Sequence, residues 1–300
     1  MNRILAGTLW LVSLVSPRLA WWVSTQGGKL MYWFGSEAAK TTQVNLQQCF
    51  PYKSKAEINH LTQLSLAHML LLFFEFGQLA HWSEERLLSQ VTKIEGEASL
   101  REAFDSETGV LLLVPHYGNW ELLCAYLGVH LSVAALYDPP KIKSLEPIIV
   151  NVRERYNGEM FPIDTGGMRG IFKTLKRGGL VAILPDQVPG RDAGVYADFY
   201  NQPALTMNLP HKLVQRSQPN VIMGSVRRLE MSDEQNQFSY CLRFEPLPLE
   251  INETDEDNAA LLINQAIEEV IAEDESQYQW EYKRFKRPPT MGKDNIYRRQ

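Results

Sequence analysis

Val110-Leu-Leu-Leu-Val-Pro-His-Tyr-Gly-Asn-Trp-Glu121 joins an apolar segment to a polar turn that carries a histidine and a carboxylate. The apolar run before Pro115 predicts a short buried strand. His116 would lie at the end of that strand, and Glu121 would lie in the first turn of a following helix. A neutral imidazole with a carboxylate to orient it is the pair that a hydroxyl-activating base requires. The stretch therefore predicts a catalytic site in which Glu121 orients His116.

The same residues also have a purely structural interpretation. Asn119 can cap a helix that begins at Trp120, and Glu121 would then lie favourably near the positive end of the helix dipole. His116 would be an ordinary loop histidine. The H-x4-E spacing is by itself a weak signal, but its position at a strand-to-helix junction favours the catalytic interpretation.

Beyond Gly109, short apolar strands alternate with helices. This alternation predicts an α/β domain with a largely parallel central sheet flanked by helices. The predicted strands lie near residues 110–115, 131–137, 180–185, 220–228 and 239–245. The predicted helices lie near residues 119–128, 145–155, 168–177, 208–217 and 257–273.

Asp186 and Gln187 directly follow the predicted strand at residues 180–185. They open a segment, Asp186–Leu205, that shows no clear periodicity and that we predict to be a long loop, which is often functional in a compact domain. Ligands of open α/β sheets bind beyond the carboxyl ends of the strands. We therefore predict that Asp186 and Gln187 bind substrate hydroxyls or a headgroup; the structural alternative is an Asx turn.

Arg153 and Arg155 lie near the end of a predicted helix. A guanidinium suits an anionic substrate, so we predict a clamp on phosphate or carboxylate. Residues two apart do not share a helix face, so at most one of the two arginines is expected to face the site. The alternative is a solvated helix end.

The C-terminal stretch Gln279–Pro288 interleaves aromatic residues with Lys283, Arg284, Lys286 and Arg287. We predict that this stretch, Arg284 included, binds anionic lipid headgroups. The alternative is a basic surface tail with its aromatic side chains packed on the domain. Nucleic-acid binding is disfavoured because the chain has a net charge of −5.

The N-terminal 36 residues contain no Asp or Glu, and Ile4–Val23 is largely apolar, although Pro17-Arg18 interrupts it. A spanning helix needs about 20 apolar residues, so this segment is marginal. A membrane anchor or interfacial helix, a cleaved signal peptide and an ordinary buried helix are the three alternatives, and the paired tryptophans favour the first. We predict a membrane-associating extension over residues 1–50 and the α/β domain over residues 51–300. Ser54-Lys-Ala-Glu57 reads as a capping box that starts a long helix.

Several classes of chemistry lack their motifs. GxSxG, HExxH, P-loop and GxGxxG patterns do not occur, which disfavours serine hydrolases, zinc proteases, nucleotidases and dinucleotide enzymes. Cys49, Cys124 and Cys241 are scattered and form no CxxC. We therefore expect no metal site and no cofactor.

Taken in order, these segments resemble the lauroyl/myristoyl late acyltransferases of lipid A biosynthesis in Gram-negative bacteria, within the H-x4-D/E lysophospholipid acyltransferase-like superfamily. The resemblance runs nearly end to end. The matching segments are Val44-Asn-Leu46, Cys49-Phe-Pro51, Pro115–Glu121, Arg153-Glu-Arg155 with Asn157, Gly170–Lys176, Pro185-Asp-Gln187, Phe199, Pro203-Ala204, Thr206, Trp280 and Arg284-Phe-Lys286.

The resemblance implies a glycerol-3-phosphate acyltransferase-like fold and an enzyme at the cytoplasmic face of the inner membrane. It implies transfer of a fatty acyl chain from acyl carrier protein to a hydroxyl of a lipid A precursor, with His116 and Glu121 carrying the H-x4-D/E motif. We expect direct attack on the thioester, because no nucleophilic serine or cysteine pairs with His116 and Cys124 falls in an apolar helix. The interrupted N-terminal helix departs from the family pattern and leaves spanning and interfacial attachment both open.

Two alternatives remain at this point. One is a related acyltransferase that uses acyl-CoA or acts on a glycerophospholipid or glycolipid. The other is a non-catalytic lipid-binding membrane protein of the same fold, in which His116 and Glu121 would lie apart or point away from any cleft.

Overall fold

A seven-stranded, mostly parallel sheet forms the centre of the computed structural model, which describes residues 2–140, 142–230, 237–248, 251, 254–290 and 296–298. The strands are β1 (Val91–Glu95), β2 (Val110–Leu113), β3 (Val133–Tyr137), β4 (Gly158–Pro162), β5 (Leu180–Ile183), β6 (Gly194–Phe199), β7 (Gln202–Met207), β8 (Asn220–Arg228) and β9 (Tyr240–Pro246). The sheet order is β1-β9-β8-β2-β5-β3-β4, and β6 and β7 form a separate hairpin. Five neighbouring strands, β8, β2, β5, β3 and β4, are parallel to one another. Strand β9 is antiparallel to β8 and parallel to β1, so β1 and β9 run in the opposite direction.

Helices cover both faces of this sheet. They are α1 (Asn2–Ser13), α2 (Pro17–Trp33), α3 (Glu37–Cys49), α4 (Lys55–His81), α5 (Glu84–Leu88), α6 (Glu97–Asp105), α7 (Trp120–His130), α8 (Glu146–Glu154), α9 (Thr165–Lys176), α10 (Leu209–Ser217) and α11 (Glu256–Glu273). Side chains of α9, α10 and α11 pack with Leu111 and Leu113 on one face. Side chains of α2, α4 and α7 pack with Val110 and Leu112 on the other, as expected for alternate residues of one strand.

The predicted α/β fold is confirmed. Each of the five predicted strands and five predicted helices beyond residue 109 is present, with ends that shift by up to three residues. The prediction of a long loop over Asp186–Leu205 is wrong in its second half, where the β6–β7 hairpin forms. Tyr200 and Asn201 both adopt positive φ angles, of 50° and 57°, which is the backbone geometry of a tight hairpin turn.

The N-terminal helices are interrupted where Pro17 predicted. Ser16 caps α2 by accepting a hydrogen bond from the Leu19 backbone N–H, and Pro17 occupies the first helical turn, where its missing N–H costs nothing. Helix α2 then packs tightly on α4, since a Cβ at Gly28 would lie 2.6 Å from the Gln63 carbonyl oxygen. The capping box is also observed, with Ser54 and Glu57 bonded reciprocally at the start of α4.

Large apolar side chains on α1 and α2 are exposed, and we call this set of residues the α1–α2 apolar surface. It comprises Trp10, Leu11, Leu19, Trp22, Val23, Leu30 and Trp33. Within the described ranges, α4 is the one helix that is long and apolar enough to cross a membrane, and 44% of its most apolar window is buried in the protein. Helix α3 lies inside the predicted extension, yet its Leu46 and Cys49 belong to the core on one face of the sheet. The predicted boundary between an extension and an α/β domain at residue 50 stays a prediction.

Candidate active site

His116 and Asp186 form a tight pair at the carboxyl edge of the sheet. The Nδ1 atom of His116 lies 2.7 Å from Oδ1 of Asp186, and the His116 backbone N–H donates to Oδ2 at 2.8 Å. Asp186 is buried, with 2% of its surface exposed, and both of its oxygens contact the same residue. Burial by itself would raise the pKa of Asp186, but the charge of His116 and these hydrogen bonds hold it below its usual value.

Strand register explains this pairing. Strands β2 and β5 are parallel neighbours, with Val110 opposite Leu180 and Leu113 opposite Ile183. His116 follows Leu113 by the same number of residues by which Asp186 follows Ile183. The two side chains therefore leave the sheet at the same level, as expected for residues beyond the carboxyl ends of adjacent strands.

Glu121 contacts an arginine instead of the histidine. Nε of Arg153 donates to Oε2 of Glu121 at 2.9 Å, and Nη2 of Arg153 donates to Oε1, which is a bidentate geometry. Burial disfavours the charged guanidinium, yet the adjacent carboxylate keeps the pKa of Arg153 above its usual value. Among the described residues no hydrogen bond joins Glu121 to His116. The contact that we expected of Glu121 is made by Asp186.

The helix-capping interpretation of this region is also observed. Asn119 caps α7 by accepting a hydrogen bond from the Leu122 backbone N–H, which places Glu121 in the first turn of the helix. Gly118, just before the cap, has a φ of +58°, and a Cβ there would lie 1.7 Å from the Val226 carbonyl oxygen. The turn thus requires glycine, and it directs Glu121 towards α8, which carries Arg153.

The C-terminal segment forms one wall of the site. The Gln279 backbone N–H donates to the His116 carbonyl oxygen at 3.0 Å, and the Gly118 backbone N–H donates to the Gln277 carbonyl oxygen at the same distance. The side-chain nitrogen of Gln187 lies 3.2 Å from Nε2 of His116 and 3.4 Å from Oε1 of Gln279. Gln187 therefore covers the nitrogen of His116 that Asp186 leaves unoccupied.

Glu281 is a second carboxyl group beside the histidine. Its Oε2 atom is buried and has no hydrogen-bond partner among the described residues. Burial raises the pKa of Glu281 to about 7, against the lowering effects of hydrogen bonds and of the nearby charge of His116. Glu281 lines a small cavity together with Gly118, Trp120 and Gln279. Its place in an aromatic and basic stretch is the one feature of the sequence that could have pointed to it.

The structure separates the remaining predicted residues from the site. Arg155 donates from Nη1 to the Leu79 carbonyl oxygen at 3.0 Å, so of the two adjacent arginines only Arg153 contacts a site residue. Arg284, for which we predicted a contact with a lipid headgroup, is engaged inside the protein, and its role in binding stays a prediction. Its guanidinium is buried and donates to the Leu205 carbonyl oxygen and to Thr206, both at 2.8 Å.

The basic C-terminal stretch is largely engaged within the protein. Lys283 pairs with Glu37, Lys286 donates to the Tyr282 hydroxyl, and Arg287 donates to the Pro189 carbonyl oxygen. Its aromatic side chains Trp280 and Phe285 are buried. The aromatic residues are thus packed on the domain, as the structural alternative expected, and the headgroup contact receives no support.

Among the described residues there is neither a thiol with a lowered pKa nor a group of side chains that could bind a metal ion. Burial raises the pKa of the Cys124 thiol to about 12, so it is protonated and a poor nucleophile at neutral pH. Within the part of the chain that the structure describes, no group of three His, Cys, Asp or Glu side chains could hold a metal ion. The Asp186–His116 arrangement can act as a general base with a carboxylate that orients the imidazole.

Comparison with known proteins identifies the family. The family model described as bacterial lipid A biosynthesis acyltransferase matches residues 2–287. The lipid A biosynthesis palmitoleoyltransferase of Escherichia coli (strain K12) is 29% identical over 97% of this chain and 92% of its own length. A lipid A biosynthesis acyltransferase of Haemophilus influenzae is 26% identical over 88% of the chain and 82% of its own length. The lipid A biosynthesis lauroyltransferase of E. coli is 24% identical over 94% and 90%. These matches confirm the resemblance found in the sequence.

Proposed function

Since the chain belongs to the bacterial lipid A biosynthesis acyltransferase family, we propose that it transfers a fatty acyl chain from an acyl thioester to a hydroxyl group of a lipid A precursor. The Asp186–His116 pair carries this proposal, because it supplies a fixed base at the edge of the sheet where ligands bind. The named activities of the relatives agree with it, since each transfers an acyl group in lipid A biosynthesis.

Asp186 is the positioning residue in this mechanism. By accepting the proton on Nδ1, it leaves the lone pair on Nε2. The acceptor hydroxyl replaces the Gln187 amide at this atom and gives it a proton, and Asp186 stabilises the imidazolium that forms. The resulting oxygen attacks the carbonyl carbon of the thioester. The carbon–sulfur bond then breaks, and the imidazolium returns the proton to the leaving thiolate. The products are an ester and a free thiol, and no acyl-enzyme is needed.

Arg153 is the anion-binding residue in this mechanism. Glu121 holds the guanidinium through Nε and Nη2, which leaves Nη1 to bind a substrate phosphate or to stabilise the developing negative charge. Glu121 thereby acts through Arg153 instead of through His116. The four residues divide into one acid–base pair and one anion-binding pair.

Paired acid substitutions test this division. We expect His116→Ala and Asp186→Asn to lower kcat by about 10²–10⁴-fold while the protein still folds, because the first removes the general base and the second removes the carboxylate that orients it. Glu121→Gln should mainly raise KM for the acceptor, since it loosens Arg153. If Glu121→Gln lowers kcat as strongly as His116→Ala while Asp186→Asn stays near the unmodified rate, Glu121 is the orienting acid and this assignment is wrong.

The donor in this proposal is acyl carrier protein, and the alternative donor is acyl-CoA. Supplying the two thioesters side by side separates them. Lipid mass spectrometry of cells with and without the gene identifies the acceptor, because a missing secondary acyl chain on lipid A would give both the chain length and the position. A missing chain on a glycerophospholipid would favour the alternative acceptor.

We further propose that the protein works at the cytoplasmic face of the inner membrane and binds it through the α1–α2 apolar surface. An exposed apolar surface that includes tryptophans is typical of helices lying in a membrane interface. The non-catalytic alternative expected His116 and Glu121 to lie apart, and among the described residues no hydrogen bond joins them. It is nevertheless disfavoured, because Asp186 provides His116 with a buried carboxylate partner.

A further inference from the structure

An open groove lies between α9 and α10, with a volume of about 250 Å³. Its floor consists of Met168 and Phe172 from α9 and of Leu209 and Leu213 from α10. Arg169, Lys212 and Arg216 line its rim, so we call it the basic groove.

The three rim cations are exposed, and none makes an ion pair with a described residue. Of the described residues that line the groove, none is acidic. Asp164 caps the start of α9 by accepting a hydrogen bond from the Gly167 backbone N–H. The groove therefore combines an apolar floor with uncompensated positive charge, which attracts an anionic partner.

The groove is formed by two helices that begin at the same edge of the sheet as the proposed active site. Helix α9 follows β4, and α10 follows the hairpin that comes after Asp186 and Gln187. Helices that connect parallel strands run back along the sheet, so both begin near its carboxyl edge, where His116 lies. An occupant of the groove would therefore have one end near the histidine.

The groove and the α1–α2 apolar surface are on opposite faces of the sheet. Leu213 of α10 packs in the core that includes Leu111 and Leu113, whereas Ala20 of α2 packs in the core that includes Val110 and Leu112. If the α1–α2 apolar surface contacts lipid, the basic groove faces the aqueous phase. Its partner is then a soluble protein and not a lipid headgroup.

We propose that the basic groove docks the protein that delivers the acyl thioester, through an acidic helix whose apolar side chains contact the groove floor. This inference rests on the proposed function, in which the donor is acyl carrier protein. Charged rims guide association and select partners, and an apolar floor accepts the buried face of a partner helix. The same docking would place the thioester arm at the carboxyl edge of the sheet.

Charge reversal in the intact protein tests the groove. The KM for an acyl carrier protein donor is compared with the KM for an uncharged acyl-pantetheine thioester of the same chain length. For Arg169→Glu and Lys212→Glu, one on each helix, we expect the ratio of the two KM values to rise about fivefold, with the effect shrinking at high salt. Arg177→Glu is the matched control, because it reverses an exposed cation just beyond α9 that does not line the groove.

The outcomes separate the two proposals. An unchanged KM ratio, or an equal rise for Arg177→Glu, overturns the docking site. The docking site is also overturned if Arg169→Glu and Lys212→Glu weaken binding to vesicles of anionic lipid without changing the KM ratio. That result would assign the groove to the membrane. If the unmodified protein transfers from neither donor, the proposed function fails. Direct titration with acyl carrier protein then still tests whether the groove is the docking site. Lys212→Glu should weaken binding more than Arg177→Glu does, and an equal effect would overturn the docking site.

Discussion

Replacing Glu281 by glutamine removes a buried carboxyl group without changing the shape of the side chain. Oε2 of Glu281 is enclosed and has no hydrogen-bond partner among the described residues. Burial raises the pKa of the group from 4.5 to about 7. The folded protein therefore binds a proton in a pH range in which the unfolded chain has already lost it.

The sign and size of the effect follow from linkage. A carboxyl whose pKa is raised on folding contributes full stability below pH 4.5, and this contribution is lost as the pH rises through about 7. One pKa unit corresponds to about 1.4 kcal/mol, so the loss is about 3 kcal/mol over that window. Because glutamine does not titrate, the free energy of unfolding of Glu281→Gln minus that of the unmodified protein should increase by this amount between pH 4.5 and pH 8.

Urea unfolding at several pH values measures this difference, and the titrating groups that do not interact with Glu281 cancel because both proteins contain them. Glu269→Gln is the matched control, since it makes the same chemical change at an exposed position on α11. A difference for Glu281→Gln that stays flat within about 0.5 kcal/mol would refute the burial argument, since ordinary surface substitutions have effects of that size.

Three further substitutions test other parts of the molecule. Glu75→Gln leaves the Arg228 guanidinium buried without the carboxylate that contacts it at 2.6 and 2.7 Å, and thermal or urea unfolding should show a loss of about 3–5 kcal/mol; a loss under about 1 kcal/mol would contradict this. Arg153→Lys cannot hold Glu121 in a bidentate geometry, and we expect steady-state kinetics to show a rise of about tenfold in KM for the acceptor. An unchanged KM would contradict this role of Arg153. Trp22→Ala removes a side chain that is 60% exposed, and co-sedimentation with vesicles should show about tenfold weaker binding, whereas equal binding would argue against the α1–α2 apolar surface.

Local signals predicted most of the fold. Apolar runs revealed the central strands β2, β5 and β8, which are buried on both faces, and Ser54 and Asn119 marked the starts of α4 and α7. The strands that escaped prediction are β1, β4 and the hairpin pair. Strands β1 and β4 are the two edges of the sheet, and no residue in either strand is fully buried, so neither has the apolar run that marked the central strands.

The site was predicted as a set of residues but not as a set of pairs. His116 and Asp186 both follow predicted strands, and this common position was visible in the sequence. Their contact depends on β2 lying next to β5 instead of next to β3, which follows it along the chain. Strand order is a property of the whole sheet, and no local pattern records it. Glu121 is close to His116 along the chain, but the turn at Gly118 directs it to Arg153.

The distant segments that carried the family resemblance meet in the folded protein, and their contacts explain why they occur together. The side chain of Asn45 in α3 donates to the carbonyl oxygens of Trp280 and Tyr282, both at 2.7 Å. These bonds hold the C-terminal segment against the site, where Gln279 binds the His116 carbonyl oxygen. An asparagine near the N-terminus thus acts on the wall beside the histidine. The Val44-Asn-Leu46 segment and the segment around Trp280 are therefore two halves of one structural support for the site.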